Sequence, residues 1–261
     1  MINWVVPEQV SGLAVWPLIV VLALLVVLNI INNRVAPQTH YLLWAFGCSV
    51  VLIAIGLLDG CTWTDMGLGR SYLLSGFLWG GLCILLIALV YFIGSLMRRT
   101  RSAFHDERMS DLSATGVLFQ ALVEVPLGTV LLEEIAFRSV LFAMLARRFG
   151  LVWAVVLSCI AFGLWHILPS IGTHEQNPAL GSVVGEGRRG NVLAVVISVI
   201  STGVSALVFL ALRVISGSVL APMGLHWGTN GLGYAFSWVL IRLRDRGPKE
   251  PPAPAKVENS H

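Results

Sequence analysis

The sequence predicts an all-α fold, a polytopic transmembrane helical bundle of about seven spans enclosing an intramembrane polar cavity. Three observations carry this. The 261-residue chain is 56% hydrophobic and only 12% charged, with a mean hydropathy of +0.82, whereas soluble domains hold roughly 25% charged residues. Apolar runs near the roughly 20 residues that cross a bilayer recur at 13–31, 41–58, 72–97, 115–146, 151–168, 191–213 and 219–241. Finally, three of the later runs contain ionisable or amide side chains. Charged groups near the bilayer centre cost about 2.5 to 3.5 kcal/mol each, so these must share a partly hydrated interior.

The first run follows Glu8 with no Lys or Arg ahead of it and is succeeded by Arg34, which reads as a retained span rather than a signal peptide. The second and third runs are lipid-compatible helices. Between them, Gly60 to Ser71 holds Thr62, Trp63, Asp65, Gly67, Gly69 and Arg70, a composition suited to an interfacial turn. A charged connector, Arg98 to Ser113, completes an N-terminal three-span region, 1–114. Residues 115–241 form the second part, the candidate catalytic bundle. Its first run contains Pro126, which lacks a backbone donor and should kink the helix before Glu133. Such irregular backbone is tolerated at membrane depth only beside protein or a water-filled cavity. The polar stretch Ser170 to Gly190, with His174 and Glu175, reads as a solvated loop able to cap the interior. In the last run Gly224, Gly228, Gly231 and Gly233 allow close approach of a neighbouring helix. The tail, 242–261, is basic and then Pro-rich, and reads as disordered.

Loop charge fits seven spans best, with the N-terminus outside. Arg34, Arg98, Arg99, Arg101, Arg108, Arg188, Arg189 and the basic tail then lie inside, against Arg70, Arg147, Arg148 and Arg213 outside. Splitting the fourth run at Pro126 erases this asymmetry. The net charge of +3 is thus explained by membrane orientation, and no basic face interleaved with aromatics points to nucleic acid. Cys48, Cys61, Cys83 and Cys159 show no paired spacing and read as small packing residues.

The candidate chemistry lies in three fragments. On a regular helix Glu134 and Arg138, four residues apart, share a face, while Glu133 is turned about 100° from Glu134. Arg138 therefore neutralises Glu134 and leaves Glu133 available as a general base for a water nucleophile. His166, one turn after Phe162, could hold that water or pass a proton to a leaving amine. His226 and Asn230, also one turn apart, offer two donors to a developing oxyanion. A structural account of each fragment exists: a buried ion-pair cluster, a hydrogen-bonded helix histidine, an interhelical His–Asn pair, with Phe162, Trp165 and Trp227 as packing. Together these accounts must explain two carboxylates, an arginine, two imidazoles and an amide converging from three spans. Glu124, nine residues before Glu133, falls on the opposite helical face. A zinc site made from one imidazole of each of two helices plus Glu133 competes with metal-free chemistry, although no His-Glu-x-x-His is present. Asn230, a poor zinc ligand and a good oxyanion donor, favours chemistry without cofactor or metal.

Glu-Glu-x-x-x-Arg at Glu133, Glu134 and Arg138, Phe-x-x-x-His at Phe162 and His166, and His-x-x-x-Asn at His226 and Asn230 resemble the three motifs of the CAAX protease and bacteriocin-processing (CPBP, or Abi) family of intramembrane endopeptidases. The resemblance covers roughly 115–235. It implies a helical bundle with an intramembrane catalytic cavity that cleaves a peptide bond in a membrane-associated protein or peptide, here in a bacterial plasma membrane. It further implies that Glu133 activates water with His166, that His226 and Asn230 stabilise the oxyanion, and that Glu134 and Arg138 support the base. Family members often have Arg-Gly after the paired glutamates, where Ser139 stands here. No prenyl pocket is identifiable, so the lipidated substrate is the weaker part of that implication. A non-catalytic immunity factor or scaffold is the alternative, and a proton-coupled transporter a third reading.

Overall fold

A bilayer offers backbone groups no partner but the chain itself, so long apolar runs must become helices or a closed barrel. The computed structural model describes residues 4–35, 40–97, 112–176 and 178–245, and among these there is no strand. The helices are α1 (Trp16–Ile30, extended by a π-helical turn Ile31–Val35), α2 (Tyr41–Leu58) and α3 (Leu73–Leu96). Next comes a helical run from Ala114 to Ser170, interrupted at Gly150. There φ of 76° and ψ of 175° break the helical path and divide the run into α4 (114–149) and α5 (151–165). Three short helices follow, α6 (Ile167–Ser170), α7 (Thr173–Gln176) and α8 (Pro178–Val184), and then the long α9 (Gly187–Ser216) and α10 (Leu220–Asp245).

Among the described residues, five helical stretches are long and apolar enough to cross a membrane: Trp16–Val35, Tyr41–Leu58, Arg70–Leu96, Ala114–Ser170 and Gly187–Ser216. The sequence reading counted seven. Two of those seven lie in the single run broken only at Gly150, and α10 falls outside the set because glycines, His226, Thr229 and Asn230 dilute its apolar character.

α4 is the axis of the bundle, with every residue from Leu132 through Ala146 buried. α3 shows the inverse of a soluble amphipathic helix. Its buried positions are the small Gly76, Gly80 and Cys83, while Leu74, Leu78 and Leu85 face outward. Without a hydrophobic drive between helices in lipid, close contact depends on such small residues. The glycines of α10 find their neighbour here. A Cβ on Gly224 would stand 2.5 Å from the Gly80 Cα, and one on Gly228 would meet Ile84 and Ile87 at 3.4–3.5 Å. The N-terminal spans therefore build the bundle and set the position of α10.

The kink expected before Glu133 takes another form. Pro126 lies in a π-helical segment, Gln120–Val130, and after one α-turn, Leu131–Glu133, a second π segment runs over Glu134–Leu141. Wider hydrogen-bond spacing absorbs the donor that proline lacks, and π segments are frequent at functional sites. The polar stretch after α6 is likewise no open loop: it folds into α7 and α8. His174, read from sequence as solvated, is 5% exposed beneath the start of α9, while Glu175 is solvent-facing. Most of the charged connector (98–111) and of the tail (246–261) lies outside the described residues.

Four segments meet on one face of the molecule. The Val5 amide donates to the Val214 carbonyl and the Val10 amide to that of Arg147. Arg148 grips the Asp59 carboxylate with two bonds of 2.6 and 2.7 Å and donates to the Ala14 carbonyl. Arg213, fully buried, donates to the carbonyl of Asp65. Arg147, Arg148 and Arg213, three of the four arginines assigned outside by loop charge, are thus ties between connectors. All four cysteines are free, and three are buried.

Candidate active site

α4 carries two carboxylates into the core at consecutive positions, and they face different partners. Glu134, with no exposed surface, lies 3.2 Å from Arg138 and shares a 2.8 Å hydrogen bond with Nδ1 of His226 from α10. Glu133, 7% exposed, accepts at Oε1 from the Trp165 indole N–H at 3.0 Å. Its other oxygen, Oε2, faces Nε2 of His226 at 3.9 Å and is free of protein hydrogen bonds. His226 is therefore flanked by both glutamates, one at each ring nitrogen. Nδ1 is within hydrogen-bond reach of Glu134, and Nε2 faces Glu133 across the longer gap.

Arg138 could not be buried in an apolar core without compensation. Besides Glu134, its guanidinium has the faces of two rings, Phe162 of α5 at 3.8 Å and Phe209 of α9 at 4.5 Å. Cation–π contacts of this kind gain strength when desolvated. The Phe209 ring also lies 5.5 Å from that of His226, so one side chain of α9 backs both Arg138 and His226.

His166 ends α5 at φ −84°, ψ 2°. Its Nδ1 lies 2.8 Å from the Phe162 carbonyl, and because a carbonyl only accepts, the proton is on Nδ1. The lone pair of a neutral ring is then on Nε2, able to accept from a water or polar substrate group. The Phe162 ring meets it edge-on at 4.6 Å. Asn230 lies one turn beyond His226, and its Oδ1 is 3.4 Å from the Thr229 hydroxyl. Among the described residues it makes no hydrogen bond to Glu133, Glu134 or His166.

The structure thus joins Glu133, Glu134, Arg138 and His226 directly, and connects His166 to them through Phe162 and Trp165. Glu134 and Arg138 are coupled to His226, where the sequence reading coupled them to the base. Two residues escaped that reading. Trp165, taken as packing, holds Glu133; it lies three residues after Phe162 on the same helical face, which was the available signal. Phe209, one aromatic in an apolar run, gave none. Glu124 sits half-buried and accepts from Gln120 at 2.9 Å. No three His, Cys, Asp or Glu side chains among the described residues come together in an arrangement able to hold a metal ion.

A helical multi-pass membrane protein with an acid–imidazole cluster sealed in its core is the class that fold and site define. Residues 114–232 match the family model described as Type II CAAX prenyl endopeptidase Rce1-like. The match begins with α4 and ends just past Asn230, so it spans all three motifs, and over that segment the resemblance to CAAX-type intramembrane endopeptidases is shown. No curated protein and no solved structure matches the chain significantly.

Proposed function

We propose that this protein is an intramembrane endopeptidase that hydrolyses a peptide bond in a membrane-associated protein or peptide, using a water activated by Glu133. The observation that carries the reading is the division of labour on Glu133: Oε1 is held by Trp165, and Oε2 is free beside His226. In the proposed reaction a water donates one hydrogen bond to Glu133 Oε2 and another to His166 Nε2. As its oxygen attacks the scissile carbonyl carbon, its proton passes to Glu133. The oxyanion takes hydrogen bonds from His226 Nε2–H and the Asn230 amide, donors worth about 3 to 4 kcal/mol each where they face the developing charge. Collapse breaks the C–N bond, and the proton on Glu133 goes to the departing amine. Glu134, anchored by Arg138, keeps His226 oriented.

The bundle crosses the membrane seven times in this reading, with α4, α5 and α10 as separate spans around a polar cavity. Support comes from the four segments gathered on one face, which are the N-terminal segment and the connectors after the second, fourth and sixth crossings. An apolar cavity of about 310 Å³ lies between Leu131, Ile135 and Met223, which flank the site, and Phe46, Ile53 and Leu220. It suits an apolar group of the substrate.

Glu133→Gln is isosteric and cannot take the water proton. Turnover is expected to fall by about 10²- to 10⁴-fold with an unchanged melting temperature in detergent, and native activity should survive dialysis against a chelator. Full activity in Glu133→Gln would sink the mechanism. A large drop in its melting temperature would instead favour a structural ion cluster in a non-catalytic scaffold.

A further inference from the structure

We infer that Asn29, in α1 and outside the family-matched segment, is a positioning residue for Glu133 that acts through Trp165. This rests on the peptidase reading above. Asn29 is the only polar side chain in Trp16–Ile30, and it is 8% exposed. A polar group on a lipid-crossing helix has to find a partner inside the protein. Asn29 finds the end of α5: its Nδ2 donates to the Trp165 carbonyl at 2.9 Å. Trp165 is the last residue of that helix, and the last carbonyls of any helix lack intrahelical donors.

The amide is itself held. Asn33, one turn on, donates to Asn29 Oδ1 at 2.6 Å and to its backbone carbonyl at 2.8 Å. With Oδ1 occupied, the NH₂ side of Asn29 is the one turned to Trp165. On the far side of Trp165 the indole N–H reaches Glu133 Oε1 at 3.0 Å, and Phe137 packs edge-on against the ring at 5.5 Å. A continuous series of hydrogen-bonded groups thus runs from α1 through the end of α5 to α4. By fixing the Trp165 backbone it fixes which glutamate oxygen is occupied, and so which one faces His226 and the water. His166, the next residue, is set by the same anchor.

The test uses the full chain in detergent with 5-fluorotryptophan, which labels its nine tryptophans; Trp165→Phe assigns the Trp165 fluorine resonance. Asn29→Leu is expected to move that resonance, as Glu133→Gln does, and to leave the others in place. On a membrane peptide released by the native chain, Asn29→Leu should lower kcat by about five- to tenfold at constant KM. Combined with Trp165→Phe it should cost nothing further, because both act through one contact. An unmoved Trp165 resonance, a change confined to KM, or additive losses would overturn the inference. If Asn29→Leu does not fold, Asn33→Leu removes the donor behind the amide and should move the same resonance by less; no movement there also overturns it. Retained cleavage by Glu133→Gln would remove the peptidase reading, while the Trp165 resonance would still decide whether Asn29 sets the indole.

Discussion

Glu134 has a basic side chain on each side, Arg138 at 3.2 Å and His226 at 2.8 Å. Arg138→Leu leaves that carboxylate buried beside a single imidazole, and breaking such a pair costs about 3–5 kcal/mol. The expected outcome is a clear fall in melting temperature, in contrast to Glu133→Gln. Phe209→Leu removes one ring face from Arg138 and should destabilise less, by about 1 kcal/mol. At the connector between α2 and α3, burial pushes the Cys61 thiol above its usual range against the opposing pull of Arg147. The native protein should therefore resist maleimide at neutral pH until unfolded. That Glu133, Glu134, Arg138 and His226 would meet was legible, because ionisable groups stand out in apolar runs. Their partners were not: the Trp165 bond to Glu133 and the Phe209 contact with Arg138 join residues 32 and 71 positions apart, a distance no local spacing encodes.

Helix contacts depend on what is missing from α3 and α10. Gly80 and Gly224 are nearly backbone to backbone, so Gly224→Leu must push the helices apart and carry His226 and Asn230 away from α4. Overpacking typically costs about 1–3 kcal/mol, and here activity should fall more steeply than stability. Gly81→Ala is the internal control, since a Cβ there meets nothing within 4 Å; activity assay and thermal melt together should leave it unchanged. The glycine pattern of α10 announced a close neighbour, and only the structure identified it as α3. The π segments around Glu133 were outside the reach of the sequence. Pro126 signalled a disturbed ladder without saying whether the helix would bend or widen. The stretch after Ser170 misled for a related reason: polar, Gly-containing composition resembles a loop, yet packing against α9 folds it into short helices and buries His174.

The position of the connectors turns the chain into a topological statement. Arg147, Arg148 and Arg213 are committed to Asp59, the 59–65 connector and the N-terminal segment, which ties one end of the bundle together. If that face is external, Thr62→Cys should label with an impermeant maleimide in intact cells. Glu186→Cys, exposed before α9 on the opposite side, should label only after lysis. Equal labelling of both would refute alternating crossings. Loop charge gives the orientation these labels test, because Arg188, Arg189 and the 98–113 connector outweigh the other side. The boundary between α4 and α5 was legible only as a gap between apolar runs; Gly150, in its positive-φ conformation, makes the break.

Everything about function returns to one oxygen of Glu133. The most direct measurement is quantitative mapping of peptide termini in cells that express the native chain or Glu133→Gln at matched abundance. New termini on membrane-bound proteins that appear only with the native chain, and again with the purified protein in liposomes, are the expected result. Equal termini in both strains at good coverage would mean that Glu133 performs no hydrolysis, and that the buried cluster serves the fold alone.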